Sequence, residues 1–193
     1  MCLYATAGRE LHPALKIDLI YHKFRACQGQ KKRYNKVSML RPANQIHKTL
    51  LKKRLSLAVA ESCSGGILSS LLTSLPGSSK YFTLGIVAYS NKAKISLLKI
   101  HPRLIKQKGA VSKEVALLMA KNVRKIAAAG FGLGITGIAG PEGGTPAKPV
   151  GTVFIAAAGA KGALCKRLKL RGRRSSIRNQ SALKSLQLLK RIL

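Results

Sequence analysis

The stretch AVAESCSGG, residues 58–66, sets Glu61, Ser62, Cys63 and Ser64 where an apolar run meets a glycine pair. These residue types offer nucleophilic or acid–base chemistry. They equally offer a helix start: Ser62 or Ser64 ahead of Gly65-Gly66 suits an N-cap, and Cys63 suits a small core position. Two other segments place reactive groups after an apolar run. One is Tyr89-Ser90-Asn91, followed by Lys92 and Lys94; the other is Thr136-Gly137.

Elimination narrows the chemistry. Residues 52–193 hold three carboxylates, Glu61, Glu114 and Glu142, and one histidine, His101. Glu114 belongs in a first helical turn, where the dipole accounts for it. Two dispersed glutamates define neither a glycosidase pair nor a carboxylate metal site. One histidine followed by proline, in a surface turn, makes a Ser-His-Asp triad or a zinc site hard to build. Cys2, Cys27, Cys63 and Cys165 form no CxxC pair, so neither a zinc knuckle nor a redox dithiol is expected. There is no GxxxxGK[ST] loop, and GFGLGITG precedes no clear helix. No metal and no cofactor are expected. Hydroxyls and lysines remain. A serine can attack an amide or ester without histidine if a neutral lysine takes its proton, and burial or nearby cations lower a lysine pKa. The candidates are the serines at strand ends with Lys92 or Lys94.

The elements that must position these groups alternate in type. LSLAVA (55–60), YFTLGIVAYS (81–90) and FGLGITGIAG (131–140) read as strands, the first as one covered on both faces. ILSSLLTSL, NKAKISLLKI and KEVALLMAKNVRKIAAA read as helices. The second is stopped by His101-Pro102, and the third is capped by Ser112. GTVFIAAAG and ALCKRLKL read as two strands joined by a turn around residues 160–162. SSIRNQSALKSLQLLKRIL closes the chain as an amphipathic helix. The expected fold is a three-layer α/β/α sandwich with a mostly parallel sheet. In such a sheet ligands bind at the carboxyl ends of the strands, where Glu61–Ser64, Tyr89–Asn91 and Thr136-Gly137 all fall.

Charge is extreme, with 36 Lys+Arg against 5 Asp+Glu in 193 residues. The basic residues concentrate at the ends, outside the patterned middle. There is no RNP signature, zinc-finger spacing or aromatic stacking run, and aromatics make up only 5% of residues. A general drift toward Lys/Arg accounts for the charge without a nucleic-acid partner. Residues 1–51 lack a sustained period and read as a basic, poorly ordered extension with one short helix near residues 14–25. Non-specific polyanion binding is the expectation for this extension, and organellar targeting is its alternative role. The domain proper is expected at residues 52–193. Scattered cysteines without a secretory signal suggest a reducing, cytoplasmic setting. No apolar run approaches a membrane span.

LAVAESCSGGILSSLLTSLPGSSKYFTLGIVAYSNKAKISLL, GAVSKEV and TGIAGPEGGTPAKPVGTVFIA together resemble the C-terminal domain of the competence/damage-inducible CinA family, the nicotinamide-nucleotide amidases. The resemblance covers roughly residues 52–193. It implies hydrolysis of the carboxamide of nicotinamide mononucleotide to nicotinate mononucleotide and ammonia, without a metal, as part of pyridine nucleotide recycling. The ESCTGG element places the active-site serine at Ser62, and PGSS adds Ser79. YSNxAK gives Tyr89 and Lys94, TGIAGP gives Thr136, and the GDR..IR segment gives Arg174. On this reading Ser62 is the nucleophile, Lys94 its base and Tyr89 an orienter or proton relay. Thr136 with the Gly65 and Gly66 amides would hold the amide oxygen or the phosphate, and Arg174 the phosphate. Whether the route runs through an acyl-enzyme or through water activated by Lys94 is open. Lys92 replaces the family's acid in YSNEAK, Arg173 the acid in GDR, and VSEEV has become VSKEV. Residues 1–50 do not match the molybdopterin-binding-like domain of full-length relatives. The chain therefore reads as a stand-alone amidase with an extension, or as a remnant of a longer gene. The alternative function is a catalytically weak nucleotide- or nucleic-acid-binding protein on the same fold. A homodimer is expected by resemblance alone.

Overall fold

Residue size alternates across the strands, and this sets how the layers pack. The computed structural model describes residues 36–193. Its sheet contains β1 (Leu57–Glu61), β2 (Phe82–Val87), β3 (Phe131–Gly137), β4 (Thr152–Gly159) and β5 (Gly162–Lys169) in the order β2-β1-β3-β4-β5. β1 pairs in parallel with β2 and β3, and the β4–β5 hairpin joins β3 antiparallel. Only β4 therefore runs against the other four. The sheet is mixed and, in strand direction, mostly parallel. β1, β3 and β4 are buried almost throughout, so their sequences read as apolar runs rather than alternations.

On one face Leu57, Val59, Leu133, Ile135, Val153 and Ile155 pack against α1 (Lys36–Lys52), α2 (Ile67–Thr73) and α6 (Arg174–Leu189). The other face presents Ala58, Ala60, Ala156 and Ala158 to α3 (Asn91–Ser96), α4 (Pro102–Lys108) and α5 (Lys113–Ile126). Small side chains let α5 lie close to the sheet. The extreme points are Gly132 and Gly134, where a Cβ would sit 2.1 Å from Ala120 O and 2.4 Å from Ala116 O. The glycines of FGLGITG thus serve helix–sheet approach, not a phosphate loop.

The N-terminal boundary differs from the sequence expectation. The folded unit starts at Val37, not near residue 52, because α1 belongs to the core. Ala43, Ile46 and Leu50 are all at most 2% exposed, at helical spacing along one face. Pro42 hides this helix from a sequence reading, since an interior proline costs about 3 kcal/mol. Burying Ile46 and Leu50 returns about 1.5–3 kcal/mol each. His47 is consequently a domain histidine, its Nδ1 lying 3.3 Å from Tyr81 Oη. The helix expected near residues 14–25, and most of the expected extension, lie outside the described residues.

The remaining differences are local. The helix expected over residues 91–100 is shorter: α3 ends at Ser96 with Leu97 as its C-cap, and His101-Pro102 instead starts α4, with Pro102 in its first turn and His101 Nδ1 accepting from Arg103 N. Ser112 caps α5 as expected, its Oγ accepting from Val115 N. No helix among the described residues is long and apolar enough to cross a membrane.

Gly134→Ala is expected to destabilise the domain by more than about 3 kcal/mol, because the methyl meets backbone that cannot withdraw. A urea titration followed by circular dichroism checks this. A midpoint unchanged from wild type would contradict the close approach.

Candidate active site

β1 delivers Glu61 and Ser62 to the carboxyl end of the sheet, and the two perform separate tasks. The Glu61 side chain is fully buried and takes over the capping work. Its Oε2 accepts from the backbone N–H of Gly66 and Leu68, each at 3.1 Å. Its Oε1 accepts from Ser69 N at 2.8 Å and Ser69 Oγ at 2.7 Å. A carboxylate at the start of α2 also suits the helix dipole. Ser62 and Ser64 are therefore released from the cap role their residue types suggest. Gly65 and Gly66, at φ 60° and 90°, supply the left-handed turn this arrangement needs.

The loop is also held from the α6 side. Arg178 donates through Nε and Nη2 to Ser64 O, at 3.2 and 3.0 Å. Cys63 hydrogen-bonds to Ser181, and burial pushes its thiol up to about 11. A thiol that stays protonated at neutral pH is no nucleophile.

Lys94 approaches from the neighbouring strand end. β2 passes into Ser90, which caps α3 by accepting from Ala93 N at 3.0 Å. One turn later, α3 turns Lys94 inward, where it is 2% exposed. Its Nζ donates to Ser62 Oγ and to Ala88 O, both at 3.0 Å. Neither partner is a carboxylate, so loss of hydration is not offset and the ammonium is held below its ordinary pKa. Lys92 is exposed, so of the two candidate lysines it is Lys94 that meets Ser62.

Ser62, Tyr89 and Arg174 border one hollow of about 250 Å³, together with Cys63, the Gly137–Gly140 segment, Glu142 and Gly143. Tyr89 is 58% exposed and its hydroxyl accepts from Arg174 Nη2. Arg174 Nη1 donates to Gly140 O at 2.7 Å. The guanidinium is thus fixed in orientation, with further N–H groups left over. Larger hollows, up to about 790 Å³, lie beside the β4–β5 turn at the other end of the sheet and contain no such nucleophile–base pair.

Four expected binding groups are placed otherwise. Ser79 sits in the turn before β2, exposed, at the end where β1 begins; the length of β1, about 16 Å, separates it from Ser62. The Gly65 N–H donates to Ser62 O and the Gly66 N–H to Glu61, so both amides are already engaged. Thr136 is 1% exposed and donates to Ala110 O at 2.8 Å, supporting the end of β3 without lining the hollow. Sequence reasoning missed the cap role of Glu61, the clamp by Arg178 and the position of Glu142. Only Arg178 left a signal, as the final arginine of GRRSSIR. No group of three potential His, Cys, Asp or Glu metal ligands occurs among the described residues.

A three-layer domain with a buried Ser–Lys pair at its strand ends is a class defined by fold and site together. Comparison with known proteins makes it particular. The CinA C-terminal domain family matches residues 40–193, and the chain belongs to that family. A CinA-like protein of Geobacter metallireducens is 48% identical over 137 residues, 71% of this chain and 33% of the relative. Another from Syntrophotalea carbinolica is 39% identical over 202 residues, 96% of this chain and 49% of the relative. Among solved structures, the competence/damage inducible protein CihA from Agrobacterium tumefaciens is similar with a TM-score of 0.78 at 33% identity. That match covers 80% of this chain and 94% of that one. A CinA superfamily protein from Escherichia coli gives a TM-score of 0.77 at 28% identity, covering 80% and 90%. The chain spans between a third and a half of the length of these curated relatives.

Burying Lys94 carries a stability cost with a definite pH sign. Its folded pKa lies below the ordinary 10.5, so between those two values the unfolded chain binds a proton that the folded chain has shed. Stability from this group therefore rises with pH through that window and is lowest beneath it. Lys94→Met should raise stability at pH 7 by about 0.5–2 kcal/mol. Thermal melts at pH 7 and 10 check this, and the gain should shrink at pH 10.

Proposed function

We propose that this domain is a serine–lysine amidohydrolase acting on the carboxamide of nicotinamide mononucleotide, releasing ammonia and nicotinate mononucleotide. The observation that carries the reading is the 3.0 Å contact between Ser62 Oγ and a lysine amine that burial predisposes to be neutral. A neutral Nζ accepts the hydroxyl proton as Oγ attacks the carboxamide carbon. The same nitrogen then returns the proton to the departing –NH2 group, the C–N bond breaks, and ammonia leaves. Water, deprotonated by Lys94 in turn, cleaves the resulting ester and restores Ser62. One water is consumed for each ammonia formed.

Support for the nucleotide comes from Arg174. A guanidinium fixed by Gly140 O and Tyr89 Oη at the rim of the hollow offers a directed fork to a phosphate. Family membership supports the reaction class. Tyr89, beside both the hollow and Arg174, is best read as the residue that orients this cation.

Ser62→Ala and Lys94→Ala should each lower ammonia release from nicotinamide mononucleotide by about 100-fold or more, with no metal added. Wild-type turnover in either variant would refute the assignment. Arg174→Ala should act mainly on KM, by about tenfold. A variant that lost kcat at constant KM would remove Arg174 from phosphate binding. The pH profile of kcat/KM should climb through the lowered Lys94 pKa and level off above it, because the deprotonated amine is the working form.

A further inference from the structure

In a chain with so few acids, each retained carboxylate calls for an account. Three lie among the described residues. Glu61 is buried as the cap of α2, and Glu114 sits in the first turn of α5. Glu142 has neither explanation. Among the described residues it is the only exposed side-chain carboxylate, and among them it has no hydrogen-bond or ion-pair partner. Yet it borders the same hollow as Ser62 and Arg174.

We infer that Glu142 is a cation-recognising wall of this hollow, selecting carboxamide substrates whose ring is positively charged. This rests on the proposed function and refines it. The hollow carries one fixed cation, Arg174, and one anion, Glu142. It therefore matches a zwitterion whose negative group meets the guanidinium while a ring cation faces the carboxylate. In a domain otherwise crowded with lysine and arginine, a cationic ring would be repelled without such a counter-charge. A pyridinium carboxamide bearing a phosphate has both charges. Its reduced dihydropyridine form has the phosphate alone. Glu142 thus separates the two by charge, at nearly equal size and shape.

The test uses the full chain carrying Ser62→Ala, which removes turnover. Dissociation constants are measured by calorimetry for nicotinamide mononucleotide and for its reduced, neutral-ring form. The Ser62→Ala protein should bind the cationic ring about fivefold more tightly, and adding Glu142→Gln should abolish that preference while leaving the neutral-ring affinity unchanged. Glu142→Asp should retain part of it. Equal weakening of both ligands, no change in either, or binding of neither would overturn the inference. The proposed reaction is judged separately, by ammonia release from wild type. An enzyme that turns over with the preference unaffected by Glu142→Gln leaves the reaction standing and removes Glu142 from it.

Discussion

A primary amine shut away from water governs the site. Lys94 Nζ has two neutral oxygen partners and no counter-ion at hydrogen-bond distance. A charged ammonium in that position forgoes hydration without full compensation, so the neutral form gains ground. Three neighbouring features serve that placement. Ser90 starts the short helix that turns the lysine inward, Ala88 supplies the carbonyl, and the end of β1 supplies the serine. Burying this amine costs stability while it stays charged, and the fold retains it nonetheless.

The Ser62 loop shows how few acids can suffice. Glu61 accepts four hydrogen bonds and organises the first turn of α2 from inside the protein. Because the carboxylate does that work, the adjacent hydroxyl is left to Lys94. Arg178 grips the carbonyl of Ser64 from α6, so the loop is fixed between the second strand–helix unit and the last helix. Removing charge from either support would loosen Ser62 without touching it.

Much of the fold was legible. Apolar runs of strand length, glycine pairs and caps such as Ser112 gave the order of elements, since each is dictated by local chemistry. The β4–β5 pairing followed from the tight turn that joins the two strands, whereas the antiparallel β3–β4 pairing, made across a long Gly/Pro loop, did not. α1 was not legible, because Pro42 and a polar sequence disguise a helix stabilised only by the core it meets. α4 was hidden because His101-Pro102 was read as a stop, whereas proline in a first helical turn opens a helix. In the site, Ser62, Lys94, Tyr89 and Arg174 were identified from residue type and resemblance, and they meet. Ser79 was misplaced because adjacency in a motif says nothing about which end of a strand it occupies. The glycine amides were misassigned because a free donor cannot be told from an engaged one without its partner.

Composition narrowed the candidates: one histidine in residues 52–193, with no clustered carboxylates or cysteines, left hydroxyls and amines as the expected chemistry, although the folded unit also takes in His47. The sequence by itself also determined the layers, because side-chain size and spacing are local properties. Tertiary structure alone decided which hydroxyl meets which amine. It also decided that the Lys94 amine is dry while the Lys92 amine is wet, and that Glu142 stands unpaired at the same hollow as Arg174. Those outcomes depend on burial and on contacts between residues far apart in the chain, and the free energy of a charge depends on its surroundings rather than its position in a string.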